Sequence, residues 1–120
     1  MERRAENNCP ATHKAPPAPY YAVIFSSTLA DDAEGYSTMA DRMVELAREQ
    51  EGFIDVESAA RTSEGFGITV SYWRDLESIR RWKAQSEHAA AQKMGRGAFY
   101  KNYRLRVARV EREYGFERDE

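Results

Sequence analysis

Hydrophobic and polar positions change period several times along the chain, and each change marks an element. Tyr21, Val23 and Phe25 alternate within Y-Y-A-V-I-F-S-S-T-L, an aromatic and β-branched run that predicts a central strand. From about Ala33 to Gln50 the period lengthens. Tyr36, Met39, Ala40, Met43, Leu46 and Ala47 recur at three- and four-residue steps, the apolar stripe of an amphipathic helix. Asp31 or Asp32 supplies its amino-terminal cap, and Gly52 is placed to stop it in a left-handed conformation. F-I-D-V-E-S-A-A-R-T and F-G-I-T-V-S-Y-W return to strand and, joined by T-S-E-G, form a hairpin. In the second of these Ile68, Val70 and Tyr72 share one face, and Gly67, Thr69, Ser71 and Trp73 the other. Gly67 leaves a gap there for a neighbour or a ligand.

The stretch S-Y-W-R-D-L-E-S-I-R-R-W-K-A-Q-S-E-H organises the second half: a strand end, Asp75 as cap, and a helix with Leu76, Ile79 and Trp82 on its apolar side. A bend is expected near Ser86, with His88 about one turn beyond Trp82, and M-G-R-G ends the helix. The last strand alternates Tyr103, Leu105, Val107 and then shifts phase to Ala108 and Val110, which predicts a bulge. The order βαββαβ implies a ferredoxin-like α+β fold with both helices on one sheet face. The other face is too apolar to leave in water. It is expected to meet a second copy in a symmetric homodimer, a dimeric α+β barrel, with E-R-E-Y-G-F reaching across to the partner.

At 120 residues there is room for one core. Residues 1–19, with P-P-A-P, read as a flexible arm, 20–116 as the domain and 117–120 as a tail. No apolar run approaches the roughly 20 residues of a membrane span, and the first residues lack the apolar segment of a secretory signal, so a cytoplasmic location is expected. Cys9 is the only cysteine, which leaves no intramolecular disulfide and no cysteine metal cage. A net charge of −2 argues against nucleic acid as the main partner. The local basic run Arg96, Lys101, Arg104, Arg106, Arg109 and Arg112 reads as a solvated face.

There is no glycine-rich phosphate loop, and His13 and His88 are the only imidazoles, so metal spacing and a Ser-His-Asp motif are missing as well. What remains is a set of aromatic side chains with a few polar ones. Tyr72, Trp73, Trp82, Phe99, Tyr100 and Tyr103 are candidates to converge between the sheet and the second helix near His88 and Arg96, as a site for a planar aromatic ligand. Each has an ordinary structural alternative: Trp82 as core, Tyr72 as core or interface, His88 as a packing or capping residue. Asp55 and Glu57 serve as bases only if buried. A buried His88 beside Trp73 with a cavity favours an enzyme; an exposed His88 with packed aromatics favours a binding protein without turnover.

S-Y-W-x-D-L-E-S-I-x-x-W-K, E-H-x-x-A-Q-x-x-G-R and F-Y-x-x-Y-x-x-R-V-A-R-V-E-R-E-Y, with Y-Y-A-V-I-F-S-S, M-A-x-R-M-x-E-L-A and G-F-I-D-V-E-S before them, closely resemble the antibiotic biosynthesis monooxygenase family over about Tyr20 to Phe116. The resemblance implies the dimeric α+β barrel and, for one branch, oxygenation of anthrone- or quinol-type substrates by molecular oxygen without metal or flavin. In that chemistry the protein supplies a base, an oxyanion partner and a dry aromatic site, for which His88, Trp73, Tyr72 and Arg96 are the catalytic candidates and Trp82, Phe99, Tyr100 and Tyr103 the substrate-binding ones. No cofactor is expected. The haem-degrading branch fits less well. Ser26 and Ser27 stand where that branch carries an Asn, and Ala91 or Gln92 stands where its iron ligand falls, with His88 too early.

Overall fold

The computed structural model describes residues 18–31, 36–94 and 99–119, without side chains at 37 and 89–94. Six elements follow one another: β1 (Tyr20–Leu29), α1 (Tyr36–Arg48), β2 (Phe53–Ser58), β3 (Phe66–Trp73), α2 (Leu76–Met94) and β4 (Tyr100–Val110). The strands form one antiparallel sheet in the order β2-β3-β1-β4, so the fold is ferredoxin-like α+β with β1 central.

Register assigns the two faces. Val23 lies opposite Ser71 of β3 and Val107 of β4. Because side chains alternate along a strand, Tyr21, Val23, Phe25, Ser27, Gly67, Thr69, Ser71, Trp73, Tyr103 and Leu105 point to the helices. Ile24, Phe66, Ile68, Val70 and Tyr72 point away from them. The core sits on the helix side: Val23, Ala47, Trp73 and Ile79, flanked by Tyr21, Phe53, Trp82 and Leu105. The apolar stripe of α1 delivers Met39, Leu46 and Ala47 to this core. Asp75 caps α2 as its position predicted: the Ser78 amide donates to Asp75 Oδ1 at 2.7 Å, and that bond holds the carboxyl below its ordinary range.

Several expectations need correction. Gly52 does not adopt a left-handed conformation; the only glycine with positive φ among the described residues is Gly65 of the β2–β3 turn, at 91°. Gly52 is needed for space instead. A Cβ there would lie 2.9 Å from Ser78 Cβ and closer still to its hydroxyl, so the chain after α1 passes directly under the first turn of α2. No break occurs at Ser86, since α2 is one helix from Leu76 to Met94. The bulge expected at Val107/Ala108 is absent, because β1 and β4 pair without a shift from Tyr20↔Val110 to Thr28↔Asn102; the irregularity falls beyond, where Leu29 pairs with Tyr100. As an edge strand with its middle exposed on both faces, β4 carries apolar residues in both phases without bending. Finally β2 ends at Ser58 rather than at Thr62, which frees Arg61 from the ladder. The residues offered for the cap of α1 are divided: Asp31 is exposed and within 3.7 Å of Lys101 Nζ, while Asp32 lies outside the described residues. Most of the amino-terminal arm and Arg96 lie outside them too.

Candidate functional site

The helix-covered face has two ends of different character. Toward the start of β1 it is closed. Trp73 is 0% exposed, with its ring centroid 5.4 Å from that of Phe53 and 5.3 Å from that of Trp82. Both indole N–H groups are satisfied internally, Trp73 donating to Ser71 Oγ at 2.9 Å and Trp82 to the Met43 carbonyl at 3.0 Å. A ring packed on all sides and bonded inward has nothing to offer a ligand.

Toward the end of β1 the same face holds a different assembly. Tyr36 opens α1, Phe99 and Tyr100 lead into β4, and Phe25 and Ser27 point up from β1. Tyr36 stacks edge-on against Phe99 (5.7 Å) and Tyr100 (5.9 Å), and Phe25 against Tyr100 (5.4 Å) with Tyr103 at 5.5 Å. Arg61 enters from the β2–β3 connection. Its Nη1 donates to the carbonyls of Ser27 (3.2 Å) and Gly65 (2.7 Å); its Nη2 donates to Ser27 Oγ (3.0 Å) and the Tyr36 hydroxyl (2.8 Å). The guanidinium carbon also lies 5.1 Å from the Tyr36 ring centre, a cation–π contact. The gap left by Gly67 is filled by this side chain, since a Cβ at Gly67 would lie 2.9 Å from Arg61 Cγ.

Burial pushes the Tyr100 phenol well above the ordinary tyrosine range, aided by the neighbouring Tyr36 hydroxyl and opposed by the Arg61 charge. Tyr100 therefore stays protonated at neutral pH and acts as a donor, not a base. Arg61 donates to the Tyr36 hydroxyl, so that oxygen serves as an acceptor and its own proton is not used by Arg61.

The residues singled out from sequence are divided among four places. Phe99, Tyr100 and Tyr103 do converge, in the cluster just described. Trp73 and Trp82 belong to the closed end. Tyr72 adjoins Trp73 in the strand and so faces the opposite side of the sheet, where it donates to Glu57 Oε2 at 2.6 Å; burial first, then Glu57, pushes its phenol upward. His88 is exposed on α2, and Asp55 is half-buried with Oδ1 accepting from the Val56 amide. The structure thus does not bring His88, Tyr72 and Trp73 together. Sequence reasoning passed over Arg61, Tyr36, Ser27 and Phe25. Tyr36 and Phe25 were visible as core positions; the signal for Arg61 was the gap at Gly67, whose occupant the sequence does not name.

The sheet is ferredoxin-like, with aromatic rings and hydroxyls gathered on its helix-covered face, and the chain belongs to the antibiotic biosynthesis monooxygenase family, whose model matches residues 19–94. It is 48% identical over 104 residues to the uncharacterized protein YqjZ of Bacillus subtilis (strain 168), covering 87% of this chain and 90% of that one. It is 30% identical over 92 residues to the jasmonate monooxygenase ABM of Pyricularia oryzae, covering 75% of this chain but only 43% of that protein. Among solved structures the fold is similar to that of SnoaB, a cofactor-independent oxygenase from Streptomyces nogalater (TM-score 0.63, 16% identity, 80% of this chain and 97% of that one). It is also similar to PA3566 from Pseudomonas aeruginosa (TM-score 0.60, 19% identity, 82% and 99%). Among the described residues no helix is long and apolar enough to cross a membrane, and no group of His, Cys, Asp or Glu could hold a metal ion.

Proposed function

We propose that this protein is a small monooxygenase that uses molecular oxygen, without metal or flavin, on a flat phenolic or quinol-type substrate held at the aromatic cluster around Tyr36 and Tyr100. The observation that carries the reading is the convergence of Phe25, Tyr36, Phe99, Tyr100 and Tyr103 around hydroxyls and a cation on one end of the covered face. Family membership, and the names of the jasmonate monooxygenase relative and of the oxygenase neighbour, support it. For an anthrone the balance is simple. The substrate loses a proton, its carbanion gives an electron to oxygen, one oxygen atom ends in the new carbonyl, and the other leaves as water with the two hydrogens of the oxidised carbon. The substrate is the reductant. The hydroxyls and the Arg61 cation at the cluster suit stabilisation of the substrate anion.

The test is oxygen uptake by the purified protein on a panel of anthrones and hydroquinones, with quinone formation followed by absorbance. Uptake above the uncatalysed rate that falls in Tyr100→Phe is expected; no acceleration across the panel overturns the reading. A second reading, a binding protein without turnover, is favoured by one observation: His88 is exposed and Trp73 is sealed. Ligand binding without oxygen uptake would establish it. Haem held through His88 gains nothing from an exposed imidazole outside the cluster; a haemin absorbance shift lost in His88→Ala would restore that alternative.

The reading includes a homodimer through the uncovered face. Phe66 is 42% and Ile68 44% exposed there, beside Ile24 and Val70, and burying the part still exposed contributes about 1 kcal/mol each. Tyr114 and Phe116 extend from the sheet at 84% and 79% exposure, within reach of a second copy. Light scattering is expected to give a mass near twice 13.8 kDa, and a monomer in dilute solution would refute the dimer.

A further inference from the structure

We infer that Arg61 is the ligand-binding cation of the covered face, and that it selects flat aromatic ligands carrying an anionic oxygen over neutral ones of the same shape. The inference rests on the proposed function in placing the ligand at the same cluster, but it concerns charge recognition and holds whether or not turnover follows.

Three observations carry it. First, all four hydrogen-bond partners of Arg61 among the described residues are neutral: two carbonyls and two hydroxyls. Among the described residues no carboxylate lies within ion-pair distance of it. A half-buried guanidinium bonded only to neutral oxygens among these residues keeps its attraction for an anion. Second, its position is fixed in advance. The missing Cβ of Gly67 opens the path, Ser27 and Gly65 anchor Nη1, and the Tyr36 hydroxyl accepts from Nη2. Its Nε–H makes no hydrogen bond among the described residues and remains a donor for an incoming oxygen. Third, the cluster has an outer surface. Tyr103 is 56% exposed, and Phe25, Tyr36 and Tyr100 are half-buried, so a flat ring system can lie on the aromatic side while its oxygen meets the cation.

If Arg61 merely pinned the β2–β3 turn to β1 and α1, charge on a ligand would not matter. The probes are therefore 2-naphthoate and 2-naphthamide, equal in shape and different in charge, measured by calorimetric titration at neutral pH and low salt. The wild-type protein is expected to bind the naphthoate about 10-fold or more tightly than the amide. Arg61→Gln should lose that preference, the two probes then binding with similar affinity, and Arg61→Lys should keep part of it, since an ammonium retains the charge but not the fork. Equal affinities for the two probes in the wild type, or no detectable naphthoate binding, would overturn the inference. If Arg61→Gln fails to fold, the wild-type comparison still decides, joined by competition: benzoate should displace naphthoate and benzamide should not. Failure here is separable from failure of the oxygenase reading. A naphthoate preference without oxygen uptake sinks only the latter, and uptake with no charge preference sinks only the former.

Discussion

Both ends of the helix-covered face are built from the same strands and the same kinds of residue, yet they have become opposites. At one end Trp73, Trp82 and Phe53 close on each other, each indole N–H spent on an internal oxygen. At the other Tyr36 packs on Tyr100 and Tyr100 on Tyr103, and Arg61 bonds to Tyr36 with its charge unpaired among the described residues. Aromatic content is therefore a poor guide to a ligand site. What separates a core from a site is whether the polar handles on the rings are consumed inside the protein.

That contrast can be broken at its strongest point by Trp73→Ala. Emptying the closed end should destabilise the fold by about 3–5 kcal/mol in urea denaturation, with no change in naphthoate preference if the protein is assayed well below its midpoint. A loss under 1 kcal/mol would mean the end is not packed as described. The two glycines sharpen the comparison. Gly52→Ala drives a methyl into Ser78, whose Cβ would be 2.9 Å away, and is expected to cost about 1–3 kcal/mol of stability with ligand binding intact. Gly67→Ala meets Arg61 Cγ at a similar 2.9 Å, but that obstacle is a side chain that can swing aside. It should cost less stability, about 1 kcal/mol, and reduce naphthoate affinity by displacing the guanidinium. Equal stability losses with unchanged ligand binding would erase the distinction between the ends.

The smallest effect expected is on alkaline stability. The Tyr100 phenol is raised in the fold above its ordinary 10.0, chiefly by burial. Such a group contributes its full stabilisation at every pH below the unfolded-state value and loses it as pH rises from there toward the folded-state value. Thermal melting from pH 9 to 11 should therefore fall less steeply in Tyr100→Phe than in the wild type, by a margin of about 1 kcal/mol. Parallel curves would show that the Tyr100 ring is less enclosed than the geometry implies. Tyr72, raised by burial and by Glu57 on the other face, supplies the matching control.

Much of this molecule was legible in one dimension. The period-two and period-3.6 patterns locate all four strands and both helices, and alternation in β3 assigns Gly67, Thr69, Ser71 and Trp73 to one face and Ile68, Val70 and Tyr72 to the other. That same alternation already separates Tyr72 from Trp73, and six residues at about 100° each turn His88 away from the Trp82 side of α2. Both facts stood in the sequence. Reading Tyr72, Trp73 and His88 as one site set nearness along the chain above the direction in which side chains point.

Other features were open only to the folded chain. Gly52 and Gly67 each announce an empty volume, but a gap does not say what enters it: the first turn of α2 in one case, Arg61 in the other. Arg61 itself lies in a run that reads as strand until tertiary contacts decide that β2 ends at Ser58. Local pattern determines the elements and their faces because side-chain direction follows backbone period. The partners of Arg61 come from Ser27, Tyr36 and Gly65, on three different segments, and only packing the helices on the sheet brings those groups within hydrogen-bond distance.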